Sequence, residues 1–105
     1  MHIVFHGIKL EMETGFYANG QRLIQLYQGG APYMTASVAL DIPKNLIPAI
    51  ALDYQVDPDQ IVFIKNWSEN EDIFQALCDA EVIYSYGHYV PTGYVRANVA
   101  VLNPQ

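Results

Sequence analysis

Apolar and polar residues alternate with a period of two over much of the chain. From Ile8 the order is Ile8, Leu10 and Met12 against Lys9, Glu11 and Glu13, the pattern of a strand with one face buried. Residues 2–6, before Gly7, read as a preceding strand. Phe16 and Tyr17 carry the second strand toward Asn19-Gly20, a pair that suits a type I′ hairpin turn because both central positions tolerate positive φ. Residues 22–28 place Ile24 and Leu26 on one face, with Leu23, Gln25 and Tyr27 on the other. Gly29-Gly30 turns the chain into residues 33–40, where Met34, Ala36, Val38 and Leu40 oppose Tyr33, Thr35 and Ser37. The first forty residues are therefore expected to be an antiparallel meander.

The pattern then changes. Pro43, Pro48 and Pro58 interrupt residues 41–60, and proline neither donates to a sheet nor sits freely inside a helix. Between them, residues 47–54 suit a short helix, and Asp57-Pro58-Asp59 a turn. Ile61, Val62, Phe63 and Ile64 form a wholly apolar strand, central in a sheet. Ser68 and Glu71 have capping-box spacing. Glu69, Glu71 and Asp72 would complement the positive end of a helix that follows. Ile73, Phe74, Leu77 and Cys78 give that helix one apolar face, and it should end near Ala80. Residues 82–90 and 94–102 read as two closing strands around Pro91-Thr92-Gly93. The expected fold is α+β, one domain over 1–105: a twisted antiparallel sheet of about six strands, a main helix at about 69–80 on one face, and a second short helix near 47–54.

At 105 residues such a chain can bury a single core unaided. No apolar run approaches the roughly 20 residues of a membrane span, and the start of the chain lacks the basic and small-residue marks of a signal peptide. Cys78 is the one cysteine, which fits a reducing cytoplasm and excludes an internal disulfide. Eleven acidic residues against five Lys and Arg give a net charge of −6. Direct nucleic-acid binding depends on neutralising phosphates with cations, so neither nucleic acid nor membrane is an expected partner.

Short motifs, F-H-G at 5–7, Y-A-N-G at 17–20, L-I-Q-L at 23–26, A-P-Y at 31–33, F-I-K-N-W-S-E-N-E at 63–71 and T-G-Y at 92–94, resemble a small family of uncharacterised proteins encoded on bacterial plasmids, conjugative elements and phages. The resemblance spans most of the chain; residues 43–59 look longer than the family's loop there. It implies no catalytic residues. It implies the company of mobile elements, whose small accessory proteins often counter restriction or CRISPR systems or tune transfer.

Candidate chemistry is sparse. His2 and His6 lie about 13 Å apart if both are on one strand, His88 is remote, and one cysteine is a poor supply of zinc ligands. Cys78 on an apolar stripe reads as a small hydrophobe. Asp53, Asp57 and Asp59 lack the central Gly and closing Glu of a calcium loop. No nucleophile elbow, phosphate loop or zinc-protease pattern occurs, and no cofactor is expected. Tyrosine is in excess: of eight, Tyr84, Tyr86, Tyr89 and Tyr94 fall in the last two strands, Tyr84 and Tyr86 sharing a face with His88. Tyrosine is enriched at interfaces, though the rings could equally cover the sheet or pack under residues 41–60. The expected function is a non-enzymatic interaction protein that occludes a host or element-encoded protein. Its contacts would be Tyr84, Tyr86, His88, Tyr89 and Tyr94, or the acidic Glu69, Glu71 and Asp72; a homodimer through the same face is a further expectation. Two alternatives stand beside it: an acidic mimic of DNA, and a small enzyme with an unrecognised site.

Overall fold

A computed structural model describes residues 2–103; Met1, Pro104 and Gln105, the ends of the expected domain, lie outside the described residues. The fold is α+β, with eight strands in two four-stranded antiparallel sheets and two α-helices among the described residues, rather than about six strands in one sheet. The first sheet is the meander β1 (His2–Phe5), β2 (Ile8–Phe16), β3 (Arg22–Gln28) and β4 (Ala31–Thr35), in that order. Its hydrophobic alternation is the expected one: Ile3, Phe5, Leu10, Met12, Ile24 and Leu26 are all buried.

The turns are not all where the sequence put them. Gly29 and Gly30, with φ of 57° and 84°, and His6 and Gly7, at 50° and 78°, each form a two-residue turn with positive φ at both positions. At Asn19-Gly20 only Gly20 is positive (86°). Tyr17 O accepts from Gly20 N at 2.9 Å, and Tyr17 N donates to Gln21 O at 2.7 Å, so the loop is wider than a type I′ hairpin. Gln21 N also donates to Asn19 Oδ1 at 3.0 Å, and the Gln21 side chain ties the loop to the crossover. The Gln21 amide donates to Leu40 O at 2.7 Å and accepts from Leu40 N at 2.8 Å, imitating a neighbouring strand.

The expected strand at 33–40 stops at Thr35, and the chain crosses between the sheets. Ala36 N donates to Ile24 O (2.9 Å), while Ala36 O accepts from Lys65 N (2.8 Å) and Val38 N donates to Phe63 O (2.9 Å). Residues 36–38 thus fill the seam between β3 and β5 (Ile61–Ile64). Ser37 Oγ fastens it, accepting from Ile24 N at 2.8 Å and hydrogen-bonding the Tyr17 hydroxyl at 2.9 Å.

In the second sheet β8 (Val95–Leu102) pairs with β5 on one edge. On the other it pairs with two short strands, β6 (Ile83–Tyr84) and β7 (Tyr89–Thr92). The single strand expected over 82–90 is therefore one path broken at 85–88. β5 and β8 are covered on both faces. Val62, Ile64, Ala100 and Leu102 join the first sheet's core under α2 (Ile73–Asp79), and Ile61, Phe63, Val99 and Val101 pack with Ala51 of α1 (Leu46–Tyr54). Full burial of such side chains contributes about 1.5–3 kcal/mol each.

α1 lies close to the expected 47–54; Pro48 stands in its first turn, where backbone N–H groups have no helical partner. α2 is shorter than the expected 69–80. Ser68 has φ of 58° and Asp72 of 75°, which breaks the run into a separate turn at Ser68–Asn70 and a helix beginning at Ile73. The expected capping box is not formed. Asn66 Oδ1 instead accepts from Phe74 N at 2.9 Å, and buried Asn70 donates to Thr35 O at 2.7 Å, tying this loop to the first sheet.

Candidate functional site

The break at 85–88 gathers the aromatic residues. Tyr84 opposes Val101 and Tyr89 opposes Asn98, so four residues bulge over two of β8. Ser85 Oγ donates to Val99 O (3.0 Å) and accepts from Gly87 N (3.1 Å), and His88 O accepts from Val99 N (3.0 Å). Gly87 supplies the positive φ (82°) that lets the loop turn back.

The bulge meets the end of α1. Gln55 closes that helix in the left-handed conformation (φ 59°), with Gln55 N bonded to Leu52 O (3.2 Å) and Val56 N to Ala51 O (2.9 Å), a Schellman closure. This fixes Tyr54. Its ring lies 4.3 Å from that of Tyr86 and 5.5 Å from His88, and Tyr86 meets Tyr84 edge-on at 5.7 Å. Such arrangements add about 0.5–1.5 kcal/mol beyond area burial. The Tyr54 hydroxyl hydrogen-bonds His88 Nδ1. Partial desolvation, then the nearby charge of Asp53 and the Tyr86 phenol, raises the Tyr54 pKa; desolvation and then Tyr86 raise that of Tyr84. Both phenols therefore stay protonated at neutral pH.

The eight expected contact residues do not form one site. Tyr84, Tyr86 and His88 belong to this cluster. Tyr89 lies on the opposite face of β7, under the guanidinium of Arg96 at 4.4 Å, and Tyr94 projects fully exposed from the β7–β8 hairpin tip. The acidic group is elsewhere. Glu69 accepts from Lys65 at 2.9 Å, a contact that, with its own backbone amide and Ser68, lowers its pKa to about 2. Asp72 faces His6 at 3.6 Å, and Glu71 is exposed at the end of the turn. Tyr54 was missing from the expected set, because nothing in the linear pattern sets the end of α1 against a bulge thirty-odd residues on.

The histidines are separated: His2 contacts Glu11 (3.2 Å), His6 faces Asp72, and His88 holds Tyr54. Among the described residues no three His, Cys, Asp or Glu side chains are grouped to hold a metal ion. Cys78 packs half-buried against the core, and desolvation, then Asp79, raises its pKa, which disfavours the reactive thiolate. A cleft of about 570 Å³ lies beside Gln21, Asp41 and Lys44, but the Gln21 amide is already spent on Leu40. A smaller one of about 230 Å³ runs between β1 and α2 past His6 and Asp72. Among the described residues no helix is long and apolar enough to cross a membrane. No protein-family model, curated protein or solved structure matches this chain.

Proposed function

We propose that this chain is a non-enzymatic interaction protein that works by occluding another protein, with the Tyr54–Tyr84–Tyr86–His88 cluster as its contact face. The single observation that carries this reading is the bulge at 85–88, which holds Tyr86 53% exposed against Tyr54. Rings already stacked lose little freedom on binding, which favours recognition. The resemblance to proteins of mobile elements makes the partner a host or element-encoded cytoplasmic protein, such as a restriction or CRISPR component. In a capture experiment from bacterial lysate, the wild-type chain retains a specific partner and a Tyr86→Ala variant loses it. Equal retention by both overturns the reading. Capture that weakens steeply with salt and competes with duplex DNA identifies the DNA-mimic alternative instead.

A small hydrolase is the second reading, favoured by the His6–Asp72 pair at the 230 Å³ cleft. The side chains lining that cleft include no serine, threonine or cysteine, so only His6-assisted attack by water would fit. Ester turnover by the wild type that disappears in His6→Ala would support it.

A further inference from the structure

The open sheet edges of this molecule are not equally protected. β4 carries Pro32 and a register shift in its pairing with β3; the β6–β7 edge is interrupted and carries Pro91. Prolines and bulges are the devices that block edge-to-edge pairing. β1, the outer strand of the first sheet, has neither. Its two-residue turn at His6-Gly7 makes Phe5 and Ile8 the hydrogen-bonded closing pair. In an antiparallel ladder, bonded and non-bonded pairs alternate, so the backbone N–H and C=O of Val4 point away from β2 to the open edge. The Val4 side chain is 64% exposed.

α2 and its N-terminal flank face the end of this edge, with Asp72, Gln75, Ala76 and Asp79 lining one cleft with Val4, Phe5 and His6. Gln75, Ala76 and Asp79 share one face of the helix, and Asp72 stands just before its first residue. We infer that β1 and α2 together form a docking groove for an extended, lysine- or arginine-bearing segment of a partner protein, added antiparallel or parallel to β1 as a fifth strand. Charge selects that occupant. Asp72, just before the helix, faces His6 at 3.6 Å and Asp79 accepts from Gln75 at 2.8 Å; both carboxylates line the cleft, where long basic side chains on the inner face of an added strand can pair with them. Glu71 and Glu81 flank them, and residues 66–95 contain no Lys or Arg. A second copy fits poorly: β1 paired with β1 would set two such acidic faces side by side, on chains of net charge −6 each. The groove is apart from the aromatic cluster and does not depend on it.

The test is titration of the whole chain with a short fluorescein-labelled peptide of alternating lysine and valine. Two control peptides accompany it, one with glutamate for lysine and one N-methylated at its central amide, which removes the ladder donor but keeps the charge. The lysine peptide should bind, weakening with added salt, and slow amide exchange at Val4; both controls should fail. Asp72→Asn with Asp79→Asn should weaken binding roughly three- to tenfold, and Val4→Lys, at an exposed position, should abolish it while the circular dichroism stays native. Tyr86→Ala should leave it unchanged. Binding of the N-methylated or glutamate peptide as tight as the lysine peptide, no binding of any, or a concentration-dependent dimer that Val4→Lys dissolves, would overturn the inference.

Discussion

The two sheets bury their strands differently. In the meander, β2 and β3 turn one face to the core, while the other is exposed at Glu11 and Glu13 and half-buried at Gln25 and Tyr27. In the second sheet, β5 and the last six residues of β8 are buried throughout, with a helix on either side. A one-sided strand writes its face into the sequence as alternation; a two-sided strand erases it. The meander is therefore legible from sequence. In the second sheet the strands at 61–64, 82–90 and 94–102 can be read, but 61–64, expected to be central, ends the sheet while β8 lies between it and the β6–β7 path, and what covers each face is not written in the pattern.

The sharpest test of that contrast is truncation on each side of it. Phe63→Ala, emptying the α1-facing core, should cost about 3–5 kcal/mol in denaturant unfolding. Phe16→Ala, at a 52% exposed position of β2, should stay within about 0.5 kcal/mol. Similar losses at both sites would erase the distinction. At the seam, Ser37→Ala removes the acceptor for buried Ile24 N and the partner of the Tyr17 hydroxyl. A loss of about 1–3 kcal/mol is expected from the unsatisfied amide, and hydrogen exchange should quicken at Ile24. Tyr54→Phe deletes only the bond to His88; about 0.5–1.5 kcal/mol is expected, with faster exchange in residues 85–88.

The smallest effect is at Glu69. Its folded pKa of about 2 lies below the ordinary 4.5. Its contribution is therefore present above about 4.5 and is lost as pH falls toward about 2. Because the carboxylate is fully exposed, stability should change little over that window. Lys65→Met should nonetheless move the carboxyl titration, followed by NMR, back toward its ordinary range.

What the sequence hid has specific causes. The capping-box spacing of Ser68 and Glu71 is present, yet Ser68 adopts a left-handed backbone and the helix begins five residues beyond the turn's first position. Asn66 and Asn70, which satisfy Phe74 N and Thr35 O, make their bonds through tertiary placement and leave no local signature. The strand at 82–90 reads as continuous because alternation is nearly unbroken there; Ser85 and Gly87 are the two residues that permit the bulge, and neither demands it. Of the aromatic cluster, Tyr84, Tyr86 and His88 were visible as neighbours on one strand. Tyr54 was not, since its place depends on how α1 closes at Gln55.

The Gln21 clasp on Leu40 carries a rule for finding this protein's kin. Its amide offers a donor and an acceptor to one residue's backbone at once, a task that glutamate, nearly identical in outline, fails by presenting oxygen to oxygen. Any chain sharing this architecture must keep glutamine there, accept asparagine only with the backbone drawn nearer, or anchor the crossover by some other means.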